Sequence, residues 1–133
     1  MDDDERATGL VAWLEGQGYT RSAEVVDARP AGNRVTRLVR GACQVTVNRD
    51  RGQWFVEAGP LDSDGFDMNL WEAYLRDLQP PVEPAAFADE ERMLRNVVHE
   101  IERTLVLDAD AVSRLMALRA WRNEARWSPN QAY

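Results

Sequence analysis

The chain predicts an α+β fold: an N-terminal helix, a four-stranded antiparallel meander, and three C-terminal helices packed on one face of the sheet. Three observations carry that prediction. Short strand-like stretches separated by Gly, Pro and Asn turns cluster between residues 22 and 58. Apolar stripes at helical spacing cluster after residue 69. Grouped strands followed by grouped helices do not suit the alternating order of a parallel, doubly wound sheet. With 133 residues, 44% hydrophobic and 29% charged, the chain suits one domain over 1–133 with its own core.

Residues 1–7 read as a polar lead-in. In "TGLVAWLEGQGY", Leu10, Val11, Trp13 and Leu14 fall near i, i+3, i+4 spacing, so a short helix is predicted. Thr8 can cap its start, and Gly16 or Gly18 can end it in a left-handed turn. Strands are predicted at 22–29, 34–40, 42–49 and 53–58. "PAGN" at 30–33 supplies turn chemistry between the first two. A two-residue turn at Gly41-Ala42 sets Leu38 opposite Val45 and Thr36 opposite Val47.

The stretch "VNRDRGQWFVEAGP" (47–60) requires a choice of register. A three-residue loop, Asp50 to Gly52, places Glu57 beside valines on the buried face. A four-residue loop, Arg49 to Gly52, sets Val47 opposite Trp54, Val45 opposite Val56 and Cys43 opposite Ala58, leaving one face fully apolar. A slip of one residue exchanges the faces, so the pattern favours the even loop. Gly52 takes the left-handed position, and Trp54 becomes a core residue. The opposite face holds Val35, Val39 and Phe55, so it is not wholly polar.

"LDSDGFDMNLW" (61–71) reads as a turn-rich loop leading into a helix, with Asn69 and Glu72 as a capping box. Leu70, Trp71, Tyr74, Leu75 and Leu78 form its stripe, and "QPPVEP" (79–84) ends it. A long helix over 85–106 carries Leu94, Val97, Val98, Ile101 and Leu105. Asp108 or Asp110 caps a last helix over 109–126, buried through Val112, Leu115, Met116 and Leu118. Residues 127–133 read as a tail.

Several kinds of chemistry find no signature. The single cysteine, Cys43, rules out an internal disulfide or a four-cysteine zinc site, and its strand position points it inward. The single histidine, His99, sits at the border of an apolar stripe with no nucleophile or second acid-base group attached to it by sequence. Asp62, Asp64 and Asp67 lack the spacing of a calcium loop and read as a turn with solvated carboxylates. Nucleotide-binding glycine motifs, HExxH and GxSxG are absent. The expectation is a protein that is not an enzyme, with no catalytic residue, metal or cofactor. The acidic N-terminus does not read as a signal peptide, no apolar run approaches the roughly 20 residues of a membrane helix, and a cytoplasmic location is expected.

Charge is the remaining guide. Net charge is −7, and all sixteen basic residues are arginine. Coding bias is the simple account of the arginines; selection for bidentate contacts is the functional one. Residues 57–110 carry fourteen acids and four arginines, whereas residues 20–56 and 111–133 are net positive. Such a chain repels nucleic acid and anionic membranes and attracts a basic protein. "RAWRNEARW" alternates arginine with Trp121 and Trp127; packing of the last helix is the simpler account and a protein hot spot the alternative.

The stretches "VTVNRDRGQWFVEAGP", "FDMNLWEAYL" and "EIERTL" resemble, in layout, small actinobacterial immunity-type proteins of polymorphic toxin systems, over about residues 42–107. The resemblance implies a cytoplasmic, non-enzymatic protein that binds and neutralises one cognate toxin, and toxins of that kind are often basic nucleases. The expected contact residues are Asp62, Asp64, Asp67 and Glu72, the helix face Asp89, Glu90 and Glu91, and the exposed hairpin tip Asp50 and Arg51. An adaptor or secretion chaperone for an effector protein is the alternative, and a small ligand-binding domain using the cleft between sheet and helices is a third reading.

Overall fold

The computed structural model describes residues 1–27, 32–63 and 65–127. Its architecture is α+β. Helix α1 (Asp3–Gly16) precedes strands β1 (Thr20–Val26), β2 (Arg34–Arg40), β3 (Cys43–Asp50), β4 (Gln53–Pro60) and the short β5 (Phe66–Asp67). Helices α2 (Met68–Arg76), α3 (Phe87–Leu107) and α4 (Ala111–Trp127) follow. The strands form one antiparallel sheet in chain order. The core joins Leu38, Val45, Val47, Val56 and Ala58 of the sheet to Leu10 and Leu14 of α1, Trp71 of α2 and Leu94, Val98 and Ile101 of α3. Burying each large apolar side chain contributes about 1.5–3 kcal/mol.

Helix α1 begins earlier than predicted. Asp2 caps it, its carboxylate accepting from the Glu5 N–H at 2.8 Å. Asp3, Asp4 and Glu5 fill the first turn, where the helix dipole favours negative charge. Thr8 is interior to the helix, and its hydroxyl donates back to the Asp4 carbonyl. The chain leaves the helix through Gly18 at φ 98°.

The strand assignments hold, with one strand added and one register corrected. The Gly41-Ala42 turn sets Leu38 opposite Val45 and Thr36 opposite Val47, as predicted. The first strand lies at Thr20–Val26 rather than 22–29, and Ala28 to Ala31 are outside the described residues. The β3–β4 connection has only two residues, Arg51 and Gly52, at φ 52° and 79°. Both signs positive is the turn whose twist matches the flanking strands. Val47 therefore faces Val56, Val45 faces Ala58, and Arg49 faces Trp54. The predicted four-residue loop was off by two positions, which preserves the face of every side chain but not its partner. Trp54 is consequently half-buried at the edge of the core, and Trp71 is the fully buried tryptophan.

The predicted loop 61–71 contains β5, whose Phe66 and Asp67 pair with Ala58 and Glu57. A Cβ at Gly65 would meet the Glu57 Cβ at 2.9 Å, so only glycine lets the chain approach β4 this closely. The cap of α2 is Asp67 rather than Asn69; its carboxylate accepts from Leu70 N–H at 3.1 Å. This helix stops at Arg76, before the predicted proline stop, because Asp77 turns left-handed at φ 56°. Leu78 then leaves the stripe and is exposed. Helix α4 packs chiefly on α2 rather than on the sheet. Its buried stripe is Ala111, Leu115 and Arg122, whereas Met116 is exposed. Trp127 lies exposed at 81% and does not serve the packing of α4, whereas Trp121, at 39%, is partly covered where α4 meets α2.

Candidate functional site

The acidic residues singled out from sequence do not form one solvated face. Asp62 is exposed beside a shallow concavity on the outer face of the sheet, with Arg37, Thr46 and Asn48 around it. Asp64 lies outside the described residues. Asp67 is turned the other way. Beyond capping α2, it receives a forked pair of bonds from Arg122, Nη1 to Oδ1 at 3.0 Å and Nη2 to Oδ2 at 2.6 Å. Such a fork is among the stronger protein hydrogen-bond arrangements. One short-range duty and one long-range duty thus meet on Asp67, so it is a structural carboxylate rather than a free one. Glu72 is half-buried on α2.

The start of α3 divides in the same way. Asp89 is at the surface and pairs with Arg92 at 3.0 Å. Glu91 is mostly covered, bonded to Arg95 at 3.0 Å and facing Arg6 at 3.7 Å. Glu90 is 5% exposed, which corrects its expected place on an acidic outer face. Its position falls on the stripe with Phe87, Leu94 and Val97, and the helix turns it inward against β4. Burial pushes its carboxyl up to about 8, and the neighbouring Asp67 and Glu57 carboxylates add to the shift; a hydrogen bond with the Val56 backbone works against it. At neutral pH Glu90 is therefore mainly protonated. It satisfies a backbone group on the part of β4 that the two-residue β5 leaves uncovered.

Of these side chains, Asp67, Arg122 and Glu90 line a groove of about 590 Å³ beside the open edge of β4. Trp54, Phe55 and Phe87 supply its aromatic surface, and the Trp54 and Phe87 rings stack with centroids 6.1 Å apart. Carboxyl groups outnumber guanidinium groups along it: Asp3, Glu57, Asp67 and Glu90 against Arg122 and Arg126. Both arginines have partners, Arg122 in Asp67 and Arg126 in the Val82 carbonyl at 2.6 Å. Asp2, Asp4 and Glu5, chain neighbours of the lining Asp3, are exposed, as is Asp50, the cross-strand partner of the lining Gln53 at the hairpin tip. The Arg51 side chain is exposed there too, while its backbone N–H donates to Asn33 Oδ1 at 3.1 Å. The Trp54 indole donates to Asp4 Oδ1 at 2.6 Å and ties α1 to the groove.

Sequence reading missed Arg122, Asp3 and Asp4 as parts of this arrangement. A signal existed for Arg122, which follows Leu115 by seven residues and so falls on the buried face of α4. None existed for Asp3 and Asp4, because their nearness to Trp54 depends on how α1 docks.

His99 occupies a different place. Its ring is half-exposed, with Nδ1 at 2.9 Å from Glu102 Oε1 and Nε2 at 3.2 Å from Gln17 Oε1. Glu102 also accepts from Tyr19 at 2.8 Å and Arg40 at 2.9 Å. Burial raises the Glu102 carboxyl, but the bonds from His99, Tyr19 and Arg40 outweigh it and leave the group below its ordinary range. The cluster joins α3 to the end of α1 and to β2. Cys43 is fully buried, and burial pushes its thiol up to about 11. Among the described residues, no group of three or more His, Cys, Asp or Glu side chains is placed to hold a metal ion, and no helix is long and apolar enough to cross a membrane. No protein-family model matches the chain, and neither a curated protein nor a solved structure gives a significant match.

Proposed function

We propose that this chain is a protein-binding module of the immunity type, which takes a basic partner, a cognate toxin, against the groove beside β4. The observation that carries the reading is the combination of aromatic surface and acidic lining in one groove, with exposed Asp2 to Glu5 and Asp50 next to lining residues in the chain or across the hairpin. Aromatic side chains give contact area at low conformational cost, and surrounding charge steers a partner of opposite sign. The contact set is accordingly revised from the loop 62–67 to Asp3, Asp50 and Trp54, with Asp89, which precedes the lining Glu90 on α3, kept from the sequence-based set.

The test is co-expression with the product of the neighbouring gene, followed by binding measurements with Asp3→Arg, Asp50→Arg and Asp89→Arg combined. Rescue of growth by the natural chain is expected, together with at least about tenfold weaker binding by the triple variant at low salt. Unchanged binding by a folded triple variant removes the groove from the interface. Co-purification without rescue supports the adaptor reading. That reading has an observation of its own, an apolar groove of about 400 Å³ between α2 and α4, with Leu78, Leu118 and Trp121 on its walls.

A further inference from the structure

A second cavity, of about 270 Å³, lies between α1 and the first strands of the sheet, and three arginines from three strands line it: Arg21, Arg34 and Arg49. Arg34 and Arg49 are direct cross-strand partners in the β2–β3 ladder. Like charges placed so are destabilising, and the sequence offers two remedies that are incomplete. Glu24 bonds Arg34 at 2.6 Å and Arg21 at 3.1 Å, and Glu15 takes the other side of Arg21 at 3.1 Å. Among the described residues, the carboxylate paired with Arg49 is Asp4, at 3.8 Å, beyond hydrogen-bond reach.

Donors are left over as a result. Among the described residues, the Arg34 Nε is buried and without a partner. The Arg49 Nε donates to the Gly32 carbonyl at 2.9 Å, whereas its terminal nitrogens make no hydrogen bond among the described residues. A buried unsatisfied donor on a charged group is costly and calls for an acceptor. The remaining walls suit a small occupant. Trp54, over which Arg49 lies at 5.5 Å from the ring centroid, closes one side, and Thr36 and Val47 form part of the lining.

We propose that this cavity binds a small phosphate-class oxyanion, held between Arg34 and Arg49. Donors reach the cavity from separate strands, and several donors on more than one side chain match the several acceptors of a tetrahedral anion. Arginine is the side chain whose fork fits such oxygens. The overall charge of −7 repels a polyanion but leaves a small, locally paired anion free to enter. The site adjoins the groove beside β4, with Trp54 lining both, but its donors are the chain's own arginines and it needs no protein partner.

The test is calorimetric titration of the full chain with inorganic phosphate, against chloride at equal ionic strength. One phosphate per chain is expected to bind, with a rise in Tm that chloride does not reproduce. Arg49→Gln is expected to weaken binding by about tenfold or more, while Arg37→Gln, on the exposed outer face, leaves it unchanged. If Arg49→Gln does not fold, Arg49→Lys keeps the charge, removes the fork and is expected to bind several-fold more weakly. No phosphate heat, or undiminished binding by whichever Arg49 variant folds, overturns the site.

Discussion

Glu90 shows how far a single side chain can depart from what its type suggests. A glutamate in an acidic run reads as solvated, yet here it is buried beside Asp67, Glu57 and Arg122, with its carboxyl raised to about 8 by burial. The folded protein therefore holds a proton more tightly than the unfolded chain, whose value is near the ordinary 4.5. Stability from that proton is fully present below about pH 4.5 and is lost as pH rises through 8. Glu90→Gln, which keeps an acceptor for Val56 and cannot ionise, is expected to remove this loss. Urea unfolding at pH 6 and pH 9 checks it: the variant's advantage should grow with pH, to the order of a few kcal/mol. A constant difference across that range would place the charge elsewhere. Arg122 is the complementary case, 8% exposed and forked onto Asp67. Arg122→Ala leaves Asp67 without its cation and is expected to cost about 2–3 kcal/mol by urea unfolding, at the lower side for a pair because Asp67 is partly exposed.

At the scale of elements, local patterns were legible and chain-distant ones were not. The face of every residue in β2, β3 and β4 follows from alternation, and the buried stripes of α1 and α3 follow from helical spacing. The exact pairing of β3 with β4 needed the turn type, because loops of two and four residues preserve the same faces. Arg51 holds a left-handed φ of 52° there, a conformation that asparagine tolerates better. Arg51→Asn is expected to raise stability by about 0.5–1 kcal/mol, since the bond from its backbone N–H to Asn33 is kept; thermal unfolding measures it. Strand β5 escaped notice because two residues carry no periodicity, and it exists only because Gly65 lets the chain lie against Glu57.

The whole molecule separates charge in a way no segment reveals. The acidic centre of the chain, residues 57–110, is partly consumed inside the fold: Asp67 by Arg122, Glu91 by Arg95, Glu102 by Arg40 and Tyr19. The carboxylates left at the surface beside the groove come largely from the first helix. Asp67→Arg is therefore expected to unfold the start of α2, with loss of a cap worth about 1 kcal/mol and of the Arg122 pair besides. Asp62→Arg, by contrast, is expected to change stability by no more than about 0.5 kcal/mol. Equilibrium unfolding of the two single variants separates the roles that sequence alone assigned to one acidic loop.

Composition, alternation and helical spacing by themselves determined that the chain forms an antiparallel sheet backed by helices, and which face of each element is apolar. They could do so because a side chain's direction repeats every two or 3.6 residues along its own backbone. Which carboxylates stay free, which arginines are left with spare donors, and where a groove opens were decided only by tertiary structure. Those properties belong to pairs such as Asp67 and Arg122, or Asp4 and Trp54, that lie fifty or more residues apart in the chain and meet only when helix docks on sheet.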